Sequence, residues 1–184
     1  MSHNLAFPLL RTPDLDAVFS LTDRLLALGG AAAHGGTELR AKVSSRARLR
    51  QLLAAVPEAK VHEQIRKDAD TPGDTPLPYA DFYTVDLELP ARQHARSAVT
   101  SALRVHDRLQ VHWGDLGWPG CPELGLPWTR RHAHLQVNTH HEADDLDNPW
   151  TPDHVVYLHS YVEEHAAWLA ARAGAEVIGE PHWF

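Results

Sequence analysis

The chain predicts an α+β fold. The expected form is duplicated β-α-β or βαβββ-type modules, with a mixed, mostly antiparallel sheet curled around a pocket and helices on its outer face. Three observations predict it. Segments with helical apolar stripes alternate along the chain with segments of period-two alternation. One outline occurs twice: a strand, a Ser, an amphipathic helix, then Ala-x-Val, first through Ser44 to Ala59 and Val61, then through Ser160 to Ala175 and Val177. Finally, three strands between residues 82 and 138 share one apolar side and one polar side.

Residues 14–28 predict a helix. Thr12, Pro13 and Asp14 form the start signal, Leu15, Val18, Phe19, Leu21, Leu25 and Leu26 the apolar stripe, and Gly29 and Gly30 the stop. Residues 38–43 alternate as a strand with Leu39, Ala41 and Val43 on one face, and Ser44 and Ser45 then cap a helix to Val56. Residues 60–65 predict a strand. Residues 68–79 are rich in Pro and Asp and form the seam between halves 1–67 and 80–184 of a single domain, 1–184.

Residues 82–89 predict a strand with Tyr83, Val85, Leu87 and Leu89 opposite Thr84, Asp86 and Glu88. Pro90 opens a helix to Val105. Residues 108–113 form a strand with Leu109, Val111 and Trp113 opposite Gln110 and His112, and a loop rich in Gly, Pro and Trp spans 114–129. The next strand, 131–138, sets Ala133, Leu135 and Val137 against His132, His134, Gln136 and Asn138. A polar loop, 139–152, leads to a central strand at 154–160, a helix at 161–173 stopped by Gly174, and a short final strand at 175–178.

Bulk properties narrow the function. The 184 residues carry a net charge of −7, which gives no footprint for nucleic acid. No apolar run reaches the roughly 18 residues of a membrane span, and residues 1–4 lack a signal-peptide pattern. The single Cys121 allows neither a disulfide framework nor a cysteine zinc cluster, so the chain is expected to be cytoplasmic, with any metal held by His and carboxylate. That donor chemistry suits Fe(II), Mn(II) or zinc.

Ten of the fourteen histidines lie at or beyond His106. On the 131–138 strand, His132 and His134 point the same way, about 7 Å apart. Imidazole is the commonest metal ligand and titrates near neutrality. The polar face gathers Thr84, Asp86, Glu88, Gln110, His112, His132, His134, Gln136 and Asn138. A solvated outer face is one reading, and a pocket lining is the other, favoured by the absence of Lys from this set. His62 and Glu63 are a further ligand candidate. The tract His140, His141, Glu142 reads as part of a mobile acidic lid. The Trp residues of the 113–128 stretch either wall a planar ligand or form a satellite core.

Residues 153–181, with His154 opening a strand ahead of a helix, Gly174 and a Glu176-Val177 segment, resemble the opening β-α-β of a vicinal oxygen chelate module. The His132, Leu135, Val137 pattern resembles its His-bearing strand, and the strand ending at Glu88 and Leu89 its Glu-bearing strand. In length and His content the chain is similar to small single-domain extradiol dioxygenases, the L-DOPA dioxygenases of antibiotic biosynthesis. The resemblance implies an Fe(II) oxidoreductase (another divalent metal being the alternative) that cleaves a small catechol with O₂. It implies metal ligands among His132, His134, His154 and Glu88, with His112, His159 and Tyr157 as acid/base and positioning residues. Arg130, Arg131 and Trp113 are the substrate-binding candidates, the arginines for a carboxylate. The expected partners are a small aromatic substrate and O₂, with a homodimer as the assembly to test. Competing readings are another metal-dependent member (lyase, isomerase or thiol transferase), a metal-free module that sequesters an aromatic compound, and an interaction protein.

Overall fold

The computed structural model describes residues 5–29, 36–73, 77, 83–90, 94–114, 116–130, 133–142, 146 and 149–183. The protein is α+β. Its seven strands, β1 (Leu5–Thr12), β2 (Thr37–Lys42), β3 (Thr84–Leu89), β4 (Leu109–Trp113), β5 (His134–Thr139), β6 (His154–Ser160) and β7 (His182–Trp183), run in the order β3-β2-β4-β5-β6-β1-β7. Among the described residues this antiparallel sheet does not close into a barrel. Five helices occur among the described residues: α1 (Leu15–Leu28), α2 (Arg46–Ala55), α3 (Glu63–Asp70), α4 (Ala95–Ala102) and α5 (Glu163–Arg172). None is long and apolar enough to cross a membrane.

The chain divides into two compact units, residues 1–35 with 112–184, and residues 36–111. Of the stretch expected as a seam, residues 68–73 and 77 are described, and they belong to the second unit. In the first unit β6 pairs antiparallel with β1 and β5, and all its residues are buried. That matches a strand with neighbours on both edges and layers on both faces. β1 had no alternation to reveal it, because it too is apolar on both faces from Ala6 to Leu9. Pro8 cannot donate to a ladder. The register of β1 shifts between Pro8 and Leu10, and the Pro8 carbonyl accepts from the Ile178 N–H instead.

Helix α1 starts where its sequence says. The Asp14 carboxylate accepts from the N–H groups of Asp16 (2.9 Å) and Ala17 (3.2 Å), and Val18, Phe19, Leu21, Leu25 and Leu26 are buried. Helix α5 ends in a Schellman arrangement: Gly174 N–H to Ala171 O and Ala175 N–H to Ala170 O. This turn needs Gly174 at φ 70°. The strand expected at 175–178 does not form: among the described residues, the chain between this turn and β7 bonds its backbone from Ile178 N–H to Pro8 O.

In the second unit β3 shows the expected alternation: Val85, Leu87 and Leu89 are buried, and Thr84, Asp86 and Glu88 are exposed. The strand expected at 60–65 is a single bridge from Lys60 to Glu88, followed by α3. His62 is the reason. Its Nδ1 accepts from the Gln64 N–H at 3.3 Å and caps the helix, so this imidazole serves the backbone. Helix α4 is shorter than the sequence suggested, since residues 103–105 turn away from it.

Candidate functional site

Register places the site. In the β5–β6 pair, His134 lies opposite His159, Gln136 opposite Tyr157 and Asn138 opposite Val155. Alternation therefore puts all six on one face. His112, at the end of β4, joins them. Its ring centre lies 5.0 Å from that of His134 and 6.1 Å from that of His159, and the last two are 6.0 Å apart. Three imidazoles from three strands thus meet within the first unit.

Most of this face is shielded from solvent. Gln136, Asn138, Tyr157 and His159 are 2 % exposed or less, and His112 and His134 are half-buried. The polar residues are joined in a chain. His159 Nε2 lies 3.1 Å from Gln136 Oε1, and Gln136 Nε2 donates to Asn138 Oδ1 at 2.9 Å. Because the amide oxygen accepts, His159 carries its proton on Nε2 and presents a lone pair at Nδ1 when neutral. The β6 backbone at His159 is pinned as well, since its carbonyl accepts from the Trp118 indole N–H at 2.9 Å. Trp118 is fully buried, and Gly29 sits against its ring so closely that a Cβ would come within 3.0 Å. Trp118 thus belongs to the core, while Trp128 of the same loop is exposed.

A second imidazole pair occupies the other end of β5 and β6. His154, opposite Thr139, is on the reverse face from His159. Its ring centre is 4.5 Å from that of His140, and Trp150 stacks on His140 at 5.3 Å. His140 holds a left-handed φ of 60°, unlike any other non-glycine among the described residues. Burial, then the neighbouring His140, push the His154 pKa down to about 4, with Asp153 opposing.

His132 and Arg131 fall outside the described residues. Glu88, in the second unit, is exposed with its carboxylate 3.7 Å from Lys60 Nζ. Tyr157 shares the imidazole face, packs with Ala6 and Val155, and meets His182 edge-on at 5.5 Å. Trp113 is buried on the side opposite His112. Arg130 lies over the Trp128 ring at 5.4 Å. His140 reads in sequence as part of a loop, and its place directly after Thr139 at the end of β5 is the signal that sets it apart.

The donor set can be tested for a metal. Imidazoles sharing an ion at about 2.0–2.1 Å put their ring centres about 5 Å apart, close to the 5.0–6.1 Å of the cluster. As the side chains stand, no group of three His, Cys, Asp or Glu among the described residues could hold a metal ion. For this cluster to hold an ion its rings would have to turn from these positions. No protein-family model, curated protein or solved structure matches the chain.

Proposed function

We propose that the protein is a mononuclear non-haem Fe(II) dioxygenase of the vicinal oxygen chelate type, cleaving a small catechol, L-DOPA among the candidates, with O₂. One observation carries the reading: His112, His134 and His159 come together from adjacent strands on a polar face that is buried at His159, Gln136 and Asn138. A curled face forming a pocket and a duplicated β-α-β origin belong to the same proposal. In it the three imidazoles replace the two-His, one-carboxylate set, and Glu88 takes no part. Iron would supply a site at which the two catechol oxygens and O₂ meet. The chain's own residues do the rest. Gln136 fixes the His159 tautomer, and Tyr157 stands beside Gln136 to orient a substrate oxygen.

The test is oxygen uptake by anaerobically purified, Fe(II)-loaded protein given a panel of catechols. The reading expects O₂ consumption matching catechol loss and a yellow ring-cleavage product. No uptake with any catechol, despite bound iron, would end it. The all-imidazole donor set also favours one second reading, a zinc site that activates water. Stoichiometric zinc in the purified protein with no O₂ uptake decides for that alternative.

A further inference from the structure

We propose that His140 and His154 form a second divalent-metal site, separate from the three-imidazole cluster, that binds borderline transition ions such as Cu(II), Ni(II) or Zn(II) through two imidazoles and water.

Four observations on one patch of the first unit lead there. The two ring centres are 4.5 Å apart, about the separation of two imidazoles at right angles on one ion with metal–nitrogen bonds of about 2.0–2.1 Å. His140 Nδ1 lies 3.0 Å from the Thr151 carbonyl. A carbonyl only accepts, so Nδ1 bears the proton and Nε2 bears the lone pair. Metal-binding histidines are held this way by the groups behind them. His154 is 4 % exposed, and its Nδ1 is buried with no hydrogen-bond partner among the described residues. A buried ring nitrogen in that state costs about 1–3 kcal/mol, so something should compensate for it. Finally, His140 keeps its left-handed backbone through a closed set of bonds. Its N–H donates to Asp153 O at 3.0 Å, and its carbonyl accepts from Thr151 N–H at 2.9 Å. The loop ends are thus locked in the geometry that brings His140 over His154.

Trp150 makes the site readable. Its ring stacks on His140 at 5.3 Å and is 56 % exposed, so a paramagnetic ion on His140 Nε2 would quench its fluorescence. The experiment titrates the full chain with CuCl₂, following tryptophan emission and counting bound copper by equilibrium dialysis. The inference expects saturable quenching reversed by EDTA, which disappears in Trp150→Phe while the bound copper stays. It also expects His140→Asn to lose one copper equivalent. Asn tolerates φ near 60°, so that variant removes the imidazole and keeps the turn. Unchanged copper binding in His140→Asn, or wild-type emission unaffected by saturating Cu(II), overturns the proposal. The equivalent lost in His140→Asn must persist in His134→Ala, which separates this site from the cluster.

Discussion

Gln136 is the residue on which the candidate site turns, and replacing it by Leu is the sharpest perturbation of the buried face. The side chain joins two hydrogen bonds, one with His159 Nε2 at 3.1 Å and one to Asn138 Oδ1 at 2.9 Å, among residues 2 % exposed or less. Leu removes an acceptor from one buried group and a donor from another. Each loss costs about 1–3 kcal/mol, and the apolar gain of Leu offsets roughly 1 kcal/mol. The expected destabilisation is therefore about 1–5 kcal/mol. For a chain of this size that lowers the melting temperature by about 2–4 °C per kcal/mol, or roughly 2–20 °C. Urea unfolding of wild type and Gln136→Leu at neutral pH measures it. Equal denaturant midpoints would refute the reasoning, because they would mean that neither bond is buried or neither matters.

Other outcomes follow from single features. The His154 pKa is depressed to about 4 from 6.5, so as pH falls below 6.5 the unfolded chain takes up a proton that the fold refuses. In metal-free protein the contribution of His154 to stability should be fully present above pH 6.5 and fall by at most about 1.4 kcal/mol per pH unit between 6.5 and 4, and His154→Asn should remove that part of the slope in pH-dependent urea melts. Gly174 sits at φ 70°, so Gly174→Ala should cost about 1–2 kcal/mol, read by thermal melting. Tyr83 is pushed up to about 12 by burial and by its hydrogen bond to the Asp68 carboxylate. An ultraviolet pH titration should show a late-ionising tyrosine that Tyr83→Phe removes.

Much of the frame was legible because local chemistry wrote it. Asp14, Ser45 and Gly174 sit at helix ends as caps and stops, and the alternation of β3 and β5 gave their sidedness. Alternation says which residues share a face but not what covers that face. The polar sides of β3 and β5 read alike in sequence, yet Glu88 is solvated and Gln136 is buried. That difference comes from layers brought in by distant residues. Strand β1 was hidden by its apolar run and by Pro8, and α3 by His62, whose ring acts as a backbone cap. The gathering of His112, His134 and His159 depends on register between strands far apart in sequence, which no local pattern encodes.

The central claim is that the three imidazoles, and not Glu88, hold a metal. The direct measurement is metal content per chain after anaerobic purification, taken in a His140→Asn background so that only the cluster is counted. The account predicts one equivalent in that background, one with Glu88→Ala added, and none with His134→Ala or His159→Ala added. Metal lost with Glu88→Ala and kept with His134→Ala, or no metal in any of them, would contradict it.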